Sequence, residues 1–424
     1  FPGSGEVTLS DGIAVLDNTR LQVEEGIVTA DATLSLESGG WQAAVNTQQV
    51  PVGQFTTLAD GQLSADVVAS GSLDALDLEQ IQAEGRAAIA NARLYADDAR
   101  TPLLEPGLWT TAFEWQGDSI AVESFSAPSV QANGTIGIDL AQSIPIDGFN
   151  LNVALQSFDI RPLNRYLPPQ ATEYATIAGL TTFTGQLSGT LQSPELQGNA
   201  TLESLAVNQL LFETLNGPVA LTPTGANINL QGQQDQIQLI ANGPLQENLQ
   251  QQTWPNLSFE VRNQDFVAEG SGEGRQLSAK IVQLPLDALN VRPVAQYGFG
   301  EVGGLLNANI SLDLASFANP TANGTLTVTD PTLNPVEANE FTANFAYADN
   351  TATLSQGELL LENSRYLIAG SANLTDTIAY QGQLIIADGR VEDLVPIVQQ
   401  LDLSSFGVGD SSDVLGNAAD LATN

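Results

Sequence analysis

A regular alternation of apolar and polar residues constrains the fold of this chain more than any other feature of its sequence. Between residues 306 and 314, Leu306, Ile310 and Leu312 occupy even positions, and polar residues such as Asn307 and Asp313 occupy the odd positions between them. A period of two residues places the two kinds of side chain on opposite faces of an extended strand. The run therefore predicts a strand with one apolar face and one polar face.

The same alternation recurs in other segments. Its apolar positions, together with those of the run above, are Phe183, Leu187, Leu191, Ile228, Leu230, Ile237, Leu239, Leu306, Ile310, Leu312, Leu326, Val328, Phe341, Phe345, Tyr347 and Ile368. Dipeptides typical of tight turns accompany these runs, with Asp-Gly at Asp11, Asp60 and Asp388 and Asn-Gly at Asn133, Asn216, Asn242 and Asn323. We predict an all-β chain of antiparallel strands joined by short turns.

Helical spacing is scarce. The best candidate lies within Arg390–Leu403, where apolar residues recur every three or four positions and Pro396 is expected to kink or shorten the helix. Shorter helical turns are predicted around Arg161–Tyr166 and Leu286–Tyr297. The Asp-, Ser-, Asn- and Ala-rich stretch 409–424 predicts a flexible tail.

A weak internal repeat underlies the alternation. Similar segments begin at Val50 (Val-Pro-Val), at Phe158 (Phe-Asp-Ile-Arg-Pro-Leu-Asn) and at Leu284 (Leu-Pro-Leu-Asp-Ala-Leu-Asn). They divide the chain into repeats of approximately 50–157, 158–283 and 284–405. Units of this length predict one continuous elongated β architecture over 1–424, built by duplication.

The apolar face of such a sheet has to be covered. A second sheet, a closed barrel or helices could cover it, but helices are too few, and aromatic residues make up only 6% of the chain. A long sheet curled around a space that apolar ligands fill is the remaining arrangement. The residues alone are compatible with both a sandwich and this open curled sheet.

The composition excludes much of enzyme chemistry. The chain has no Cys, His or Met, so it has no thiolate or imidazole zinc site, no Cys nucleophile and no His-based triad. The Gly-x-Gly-x-x-Gly run at 298–303 follows Pro293 and precedes a predicted strand, which favours a turn over a dinucleotide site. Adjacent acids such as Glu24 and Glu25 point to opposite faces of a strand. We predict no enzyme activity, no cofactor and no metal.

The charge excludes further partners. The formal net charge is −37, although only 14% of residues are charged and 42% are hydrophobic. Such a chain repels nucleic acid and anionic membrane surfaces. No apolar run approaches the ~18 residues of a membrane-spanning helix, and no signal peptide or initiator is visible. We therefore expect an internal segment of a longer protein whose anchor and targeting signals lie elsewhere.

Several phrases resemble a known family. LSGTLQSPELQGNATLESLAVNQLLFETLNGPVALTPTGANINLQ (187–231), FTANFAYADNTATLSQGELLLENSRYLIAGSANL (341–374) and YQGQLIIADGRVEDLV (380–395) are similar to the TamB family, the inner-membrane subunit of the translocation and assembly module. These segments most resemble the cyanobacterial members of that family. The resemblance covers roughly residues 50–405 and contains no catalytic motif, and it fits a middle or C-terminal section of such a protein.

The resemblance implies a fold and a function. TamB-like proteins belong with the AsmA-like bridge-type lipid transfer proteins, whose long sheet curls into an elongated open groove, a β-taco. The sixteen apolar residues given above would then line a lipid groove in the periplasm, conducting phospholipids or glycolipids between the inner and outer membranes. The resemblance also implies an Omp85-type outer-membrane partner and an N-terminal membrane anchor, both outside this segment. The complete complex would in addition support the assembly of outer-membrane proteins. A structural or adhesive β-rod with a closed core is the alternative.

Overall fold

The computed structural model describes residues 2–57, 59–73, 81–95, 106–139, 146–166, 176–244, 253–288, 302–313, 320–333, 336–362, 364–373 and 379–390. These residues are nearly all β, and their antiparallel sheet does not close into a barrel. This confirms the all-β, open antiparallel class that the alternation predicted.

The strands run in chain order. The first twelve are β1 (Gly3–Ser10), β2 (Ile13–Val23), β3 (Gly26–Ser35), β4 (Gly40–Pro51), β5 (Ala59–Ser72), β6 (Gln82–Leu94), β7 (Gly107–Gln116), β8 (Ser119–Ala127), β9 (Val130–Ile138), β10 (Ile146–Asp159), β11 (Ile177–Gly189) and β12 (Pro194–Val207). The others are β13 (Leu210–Leu211), β14 (Leu215–Thr222), β15 (Gly225–Gln231), β16 (Gln236–Asn242), β17 (Trp254–Asn263), β18 (Phe266–Gly274), β19 (Gln276–Pro285), β20 (Val302–Asp313), β21 (Thr321–Leu333), β22 (Val336–Glu337), β23 (Glu340–Ala348), β24 (Thr351–Leu361), β25 (Ser364–Asn373) and β26 (Ala379–Asp388).

Short 3-10 helices interrupt the strands at Val52–Gln54, Arg161–Tyr166 and Leu286–Ala288. The last two lie where helical turns were predicted. Each of the three begins within one of the similar segments that the sequence aligned, shortly after β4, β10 or β19 ends. The helix predicted within Arg390–Leu403 and the predicted tail lie outside the described residues, apart from Arg390 itself.

The chain divides into two compact units. The first unit is Phe1–Pro162, Gly179–Glu203 and Asn216–Pro223, and the second is Leu163–Ala178, Ser204–Leu215 and Thr224–Asn424. In the first unit every strand from β1 to β10 pairs antiparallel with the next strand in the chain. In the second unit the strands from β15 to β26 follow the same rule with one exception. There β21 pairs with both the short β22 and the longer β23.

The pairing register keeps apolar residues on one face of each unit, because directly opposed residues of antiparallel strands share a face. One row in the first unit reads, from β1 to β10, Val7, Leu16, Ala32, Ala43, Ala69, Ala83, Trp115, Ile120, Ile136 and Phe149. One row in the second unit, from β15 to β25, reads Ile228, Leu239, Phe259, Gly270, Ala279, Ile310, Gly324, Phe345, Leu354 and Gly370. We call the face that carries these rows the apolar face and the opposite one the polar face.

β-bulges shift the alternation within many strands. In β4 the register moves between Thr47 and Val50, and Gln49 adopts a left-handed conformation with φ of 53°. The two residues Gln48 and Gln49 stand opposite the single residue Ser64, and this one extra residue changes the parity of the apolar positions from odd to even. The same face therefore remains apolar beyond the bulge. Side chains of the neighbouring strand satisfy the bulge N–H groups: the N–H of Asn18 donates to Asp31 Oδ1 at 2.9 Å, and that of Gln283 donates to Asn307 Oδ1 at 3.1 Å.

The bulges define the two margins of the sheet. In β4, β6, β8, β10 and β19 they lie close to the end of the strand, on the side that carries the 3-10 helices. We call this side the bulge margin, and the side with the turns at residues 11–12, 36–39 and 117–118 the turn margin. Fully buried side chains gather at the bulge margin, including Val23 and Val50 in the first unit and Leu284, Leu361 and Tyr366 in the second. The packed core is therefore a strip along one margin.

Several predicted turns are wrong. Asp11-Gly12 does form the turn between β1 and β2, but Asn133-Gly134, Asn216-Gly217 and Asn323-Gly324 lie inside β9, β14 and β21, and Asp60-Gly61 lies inside β5. The reason at Gly134 and Gly324 is close approach, since a methyl group on either glycine would collide with a carbonyl oxygen of the paired strand. The glycines are needed there for space and not for chain reversal.

A buried carboxylate joins three connections of the second unit. Asp235 Oδ2 accepts hydrogen bonds from the N–H of Glu213 at 2.7 Å and from Asn263 Nδ2 at 3.2 Å, and Oδ1 accepts from the N–H of Gln264 at 3.0 Å. In return, the N–H of Asp235 donates to Glu213 Oε1 at 3.1 Å. The N–H groups of Gln234 and Asp235 hold the pKa of the Glu213 carboxyl below its ordinary value. This contribution to stability is present above the ordinary pKa and is lost as the pH falls through the lowered one.

Replacing Asp235 by alanine is expected to lower the free energy of unfolding by about 3 kcal/mol, because three donors lose their acceptor inside the protein. Asp349 lies in the exposed turn between β23 and β24, so Asp349→Ala is the matched control, with an expected change below about 0.5 kcal/mol. Urea unfolding followed by tryptophan fluorescence measures both. Equal losses in the two variants would contradict a structural role for Asp235.

Candidate functional site

The apolar face is the candidate site, and the structure places the predicted lining residues on it with one exception. In the first unit, Phe183 and Leu187 of β11 lie opposite Leu155 and Leu151 of β10. Leu191 lies in the bend between β11 and β12, outside the strand that the alternation predicted for it.

The residues predicted in the second unit share one face by register. Ile228 and Leu230 of β15 lie opposite Leu239 and Ile237 of β16. Leu306 of β20, Val328 of β21 and Phe341 of β23 follow one another across their strands. The same face carries Ile310, Leu312, Leu326, Phe345, Tyr347 and Ile368. The structure therefore brings these side chains together on one surface.

Most of these side chains remain partly accessible to solvent. Only Phe183, Leu230 and Val328 among the predicted lining residues are fully buried. The other lining residues within the strands of either unit, such as Ile310 and Phe345, are partly exposed. An apolar surface of this extent is unusual for a protein face left to water, and such surfaces mark sites of contact with apolar partners.

The accessibility of the apolar face rises across the first unit. At the bulge margin, Val23 and Val50 are 3% exposed. At the turn margin, Leu9 is 66% exposed, Leu36 57% and Leu73 48%. The apolar face is thus sealed along one margin and open along the other, so a ligand can reach it from the turn margin.

Aromatic rings lie over glycines on this face. A methyl group on Gly324 would lie 2.9 Å from Cε1 of Phe345, and one on Gly270 would lie 2.6 Å from Cε1 of Phe259 on the paired strand. Each ring therefore occupies the space that a side chain at the glycine would fill. This packing keeps the apolar surface shallow and continuous, since large and absent side chains alternate along a row.

The polar face carries amides and hydroxyls together with ion pairs such as Lys280–Glu269. Asn152 Nδ2 donates to Asn133 Oδ1 at 2.9 Å, and Gln186 Nε2 donates to Asn150 Oδ1 at 2.5 Å. A depression of about 870 Å³ lies over β8–β12 of the first unit, with polar side chains such as Gln131 and Asn199 around it. Among the described residues, no group of three or more Asp or Glu side chains is arranged to hold a metal ion. Within the described part of the chain, no helix is long and apolar enough to cross a membrane.

Sequence reasoning missed much of the apolar face. Leu257, Phe259 and Val261 of β17 lie opposite the lining residues of β16, and their alternation was visible in the sequence. In β18 the signal was weak, because after Phe266 the face there consists of Ala268, Gly270 and Gly272. Small residues fail to register as an apolar run, although they continue the same surface.

A scan against protein-family models, a search of curated proteins and a search of solved structures find no match for this chain. The likeness to the TamB family therefore rests on the sequence phrases alone.

Substituting Gly324 tests the glycine–aromatic packing. Gly324→Ala places a methyl group against the carbonyl oxygen of Asn309 and the ring of Phe345, so the free energy of unfolding is expected to fall by about 2 kcal/mol. Gly137→Ala is the matched control, since the nearest atom to its new methyl group would be 3.5 Å away, and its effect should stay within about 0.5 kcal/mol. Thermal and urea unfolding measure both variants. A neutral Gly324→Ala would show that the ring and the strand move aside easily.

Proposed function

We propose that this protein is a non-enzymatic periplasmic bridge whose apolar face conducts the acyl chains of phospholipids or glycolipids between the inner and outer membranes. Membership of the TamB family, in its cyanobacterial form, is part of the proposal. Support for outer-membrane protein assembly, an Omp85-type partner and an anchor in the inner membrane through other parts of the protein follow from that likeness.

The observation that carries the proposal is the partly exposed apolar face, which runs along consecutive strands in each unit. Contact with water costs a lipid tail about 0.8 kcal/mol for each exposed CH₂ group. Side chains such as Ile310 and Phe345 lose accessible apolar surface to the same tail. Both partners gain from the contact, and neither needs a specific hydrogen bond.

The lining also suits movement. The paired rows of the second unit consist of Leu, Ile, Val, Ala, Gly and aromatic residues, without a charged side chain among them. A tail therefore meets similar surfaces from strand to strand and is held weakly at each one. The polar head of the lipid would remain in water at the open turn margin.

A structural or adhesive β-rod is the second candidate. Such a rod would keep the same alternation, but its inward residues would be packed in a closed core. The partial exposure of the lining residues, and the rise in exposure toward the turn margin of the first unit, favour the lipid groove.

Lipid content of the purified protein tests the proposal directly. Native mass spectrometry of protein purified in the absence of detergent should reveal bound diacyl lipid. Delipidated protein should take up a fluorescent diacyl lipid from donor vesicles and deliver it to acceptor vesicles. A protein that is lipid-free on isolation and takes up none would contradict the proposal and favour the rod.

Charges on the apolar face should stop transfer. Ile310→Arg and Phe345→Glu place an unpaired charge where a tail would lie, and lipid transfer is expected to fall by about tenfold or more. Ser311→Arg and Ala346→Glu are matched controls, because these neighbours lie exposed on the polar face of the same strands. Circular dichroism checks that all four variants fold. Crosslinking from a photoreactive residue at 310, compared with one at 311, gives a readout that does not depend on folding of the charged variants. Normal transfer by the apolar-face variants would contradict the groove.

A further inference from the structure

The turn margin of the first unit combines two kinds of exposed side chain. Apolar residues that continue the apolar face reach solvent there, among them Leu9, Leu36 and Leu73. Acidic residues stand beside them, and Leu36 is followed directly by the exposed Glu37. A lipid whose tail lies on the apolar face and whose head leaves at this margin would place that head among carboxylates.

The charge at this margin has one sign. Its described segments in the first unit are residues 9–13, 34–42, 70–73, 81–84, 114–120, 136–139, 146–149 and 187–196, and they contain no Lys or Arg. Their acidic residues are Asp11, Glu37, Glu84, Glu114, Asp118, Asp139, Asp147 and Glu195. They come from turns or strand ends along the whole series from β1 to β12, so the margin is acidic throughout and not at one point.

The described basic residues of the first unit lie elsewhere, and most of them face acids. Arg86 lies opposite Asp66 and Arg93 opposite Asp60 in the pairing of β5 with β6. Arg161, at the bulge margin, forms an ion pair with Asp159 at 2.5 Å. Arg20, near the end of β2, also lies toward the bulge margin. Within the described turn-margin segments of the first unit no cation is therefore present to receive a phosphate, and Arg86, two residues inside them, lies opposite Asp66.

We infer that the turn margin of the first unit selects against anionic headgroups, so that the cargo of the apolar face is a diacyl lipid whose head carries no net negative charge. The inference rests on the proposed lipid groove and specifies its substrate class. Like charges repel over about one Debye length, which is about 10 Å at 0.1 M salt. An anionic head at this margin lies within that distance of carboxylates, whereas a neutral sugar head or a zwitterionic head avoids the repulsion.

Competition between three lipids with identical acyl chains tests the inference. Delipidated protein is incubated with vesicles that hold equal amounts of a glycosyl-diacylglycerol, phosphatidylcholine and phosphatidylglycerol. The protein-bound lipids are then quantified by mass spectrometry. Phosphatidylglycerol should be depleted about threefold or more relative to the vesicles at 20 mM salt, and its share should approach that of the vesicles at 0.5 M salt.

Neutralising the margin should abolish the selection. The triple variant Glu37→Gln, Asp118→Asn, Glu195→Gln removes three exposed carboxylates from the turn margin and should raise the bound share of phosphatidylglycerol toward its share in the vesicles. The triple variant Asp17→Asn, Glu25→Gln, Glu203→Gln removes three exposed carboxylates that lie away from it and should retain the depletion. The two variants have the same net charge.

Each outcome decides a separate point. Equal uptake of phosphatidylglycerol and the two other lipids at low salt would overturn the inference while leaving the groove intact. Depletion of phosphatidylcholine together with phosphatidylglycerol would overturn net charge as the criterion, and an equal effect of the two triple variants would overturn the role of the margin. Uptake of none of the three lipids would instead contradict the proposed function itself. Enrichment of both uncharged classes, with a shift only in the turn-margin variant, supports the inference.

Discussion

The register between antiparallel strands is the constraint on which the rest of this structure depends. Opposed residues share a face, so a slip of one residue in any pairing would move a whole strand's apolar side chains to the polar side. The bulges make the register compatible with strands that bend. At Gln49 and at Gln283 one extra residue changes the parity of the apolar positions, and a polar side chain of the adjacent strand satisfies the exposed N–H group. Local hydrogen bonding thereby maintains an apolar surface that extends over many strands.

This arrangement separates the packed core of each unit from its solvent-accessible apolar surface. The side chains that are fully buried, such as Val50 and Tyr366, gather along the bulge margin, where the strands end in bulges and 3-10 helices. Toward the middle of the sheet and the turn margin, the same apolar rows retain contact with solvent. A sandwich would have used those rows as its core. Here the backbone ladder and a narrow buried strip stabilise the fold, and the larger part of the apolar face remains free to meet a ligand.

Alternation in the sequence was sufficient to predict the all-β class, the antiparallel pairing and the face on which Leu306, Ile310 and Phe345 lie. It was insufficient for the turns, because Asn-Gly at 133 and 323 supplies room for a neighbouring strand and not a chain reversal. The bulges could have been predicted from the sequence, since the apolar residues switch between odd and even positions after Thr47 and after Ile281. The contrast between a sealed and an open margin had no sequence signal, because apolar residues such as Val23 and Leu9 look alike until the strands are paired.

The order of the strands determines how the length of the sheet can change. In each unit, the long strands pair with their neighbours in the chain, and the direction of the chain reverses at every step. Two consecutive strands with their connection therefore form an interchangeable module that returns the chain to the same margin, facing the same way. Removing or duplicating such a module within a unit would leave the direction and the apolar face of the following strands unchanged. The length of the apolar surface can thus change in whole hairpins without any change in the rest of the unit.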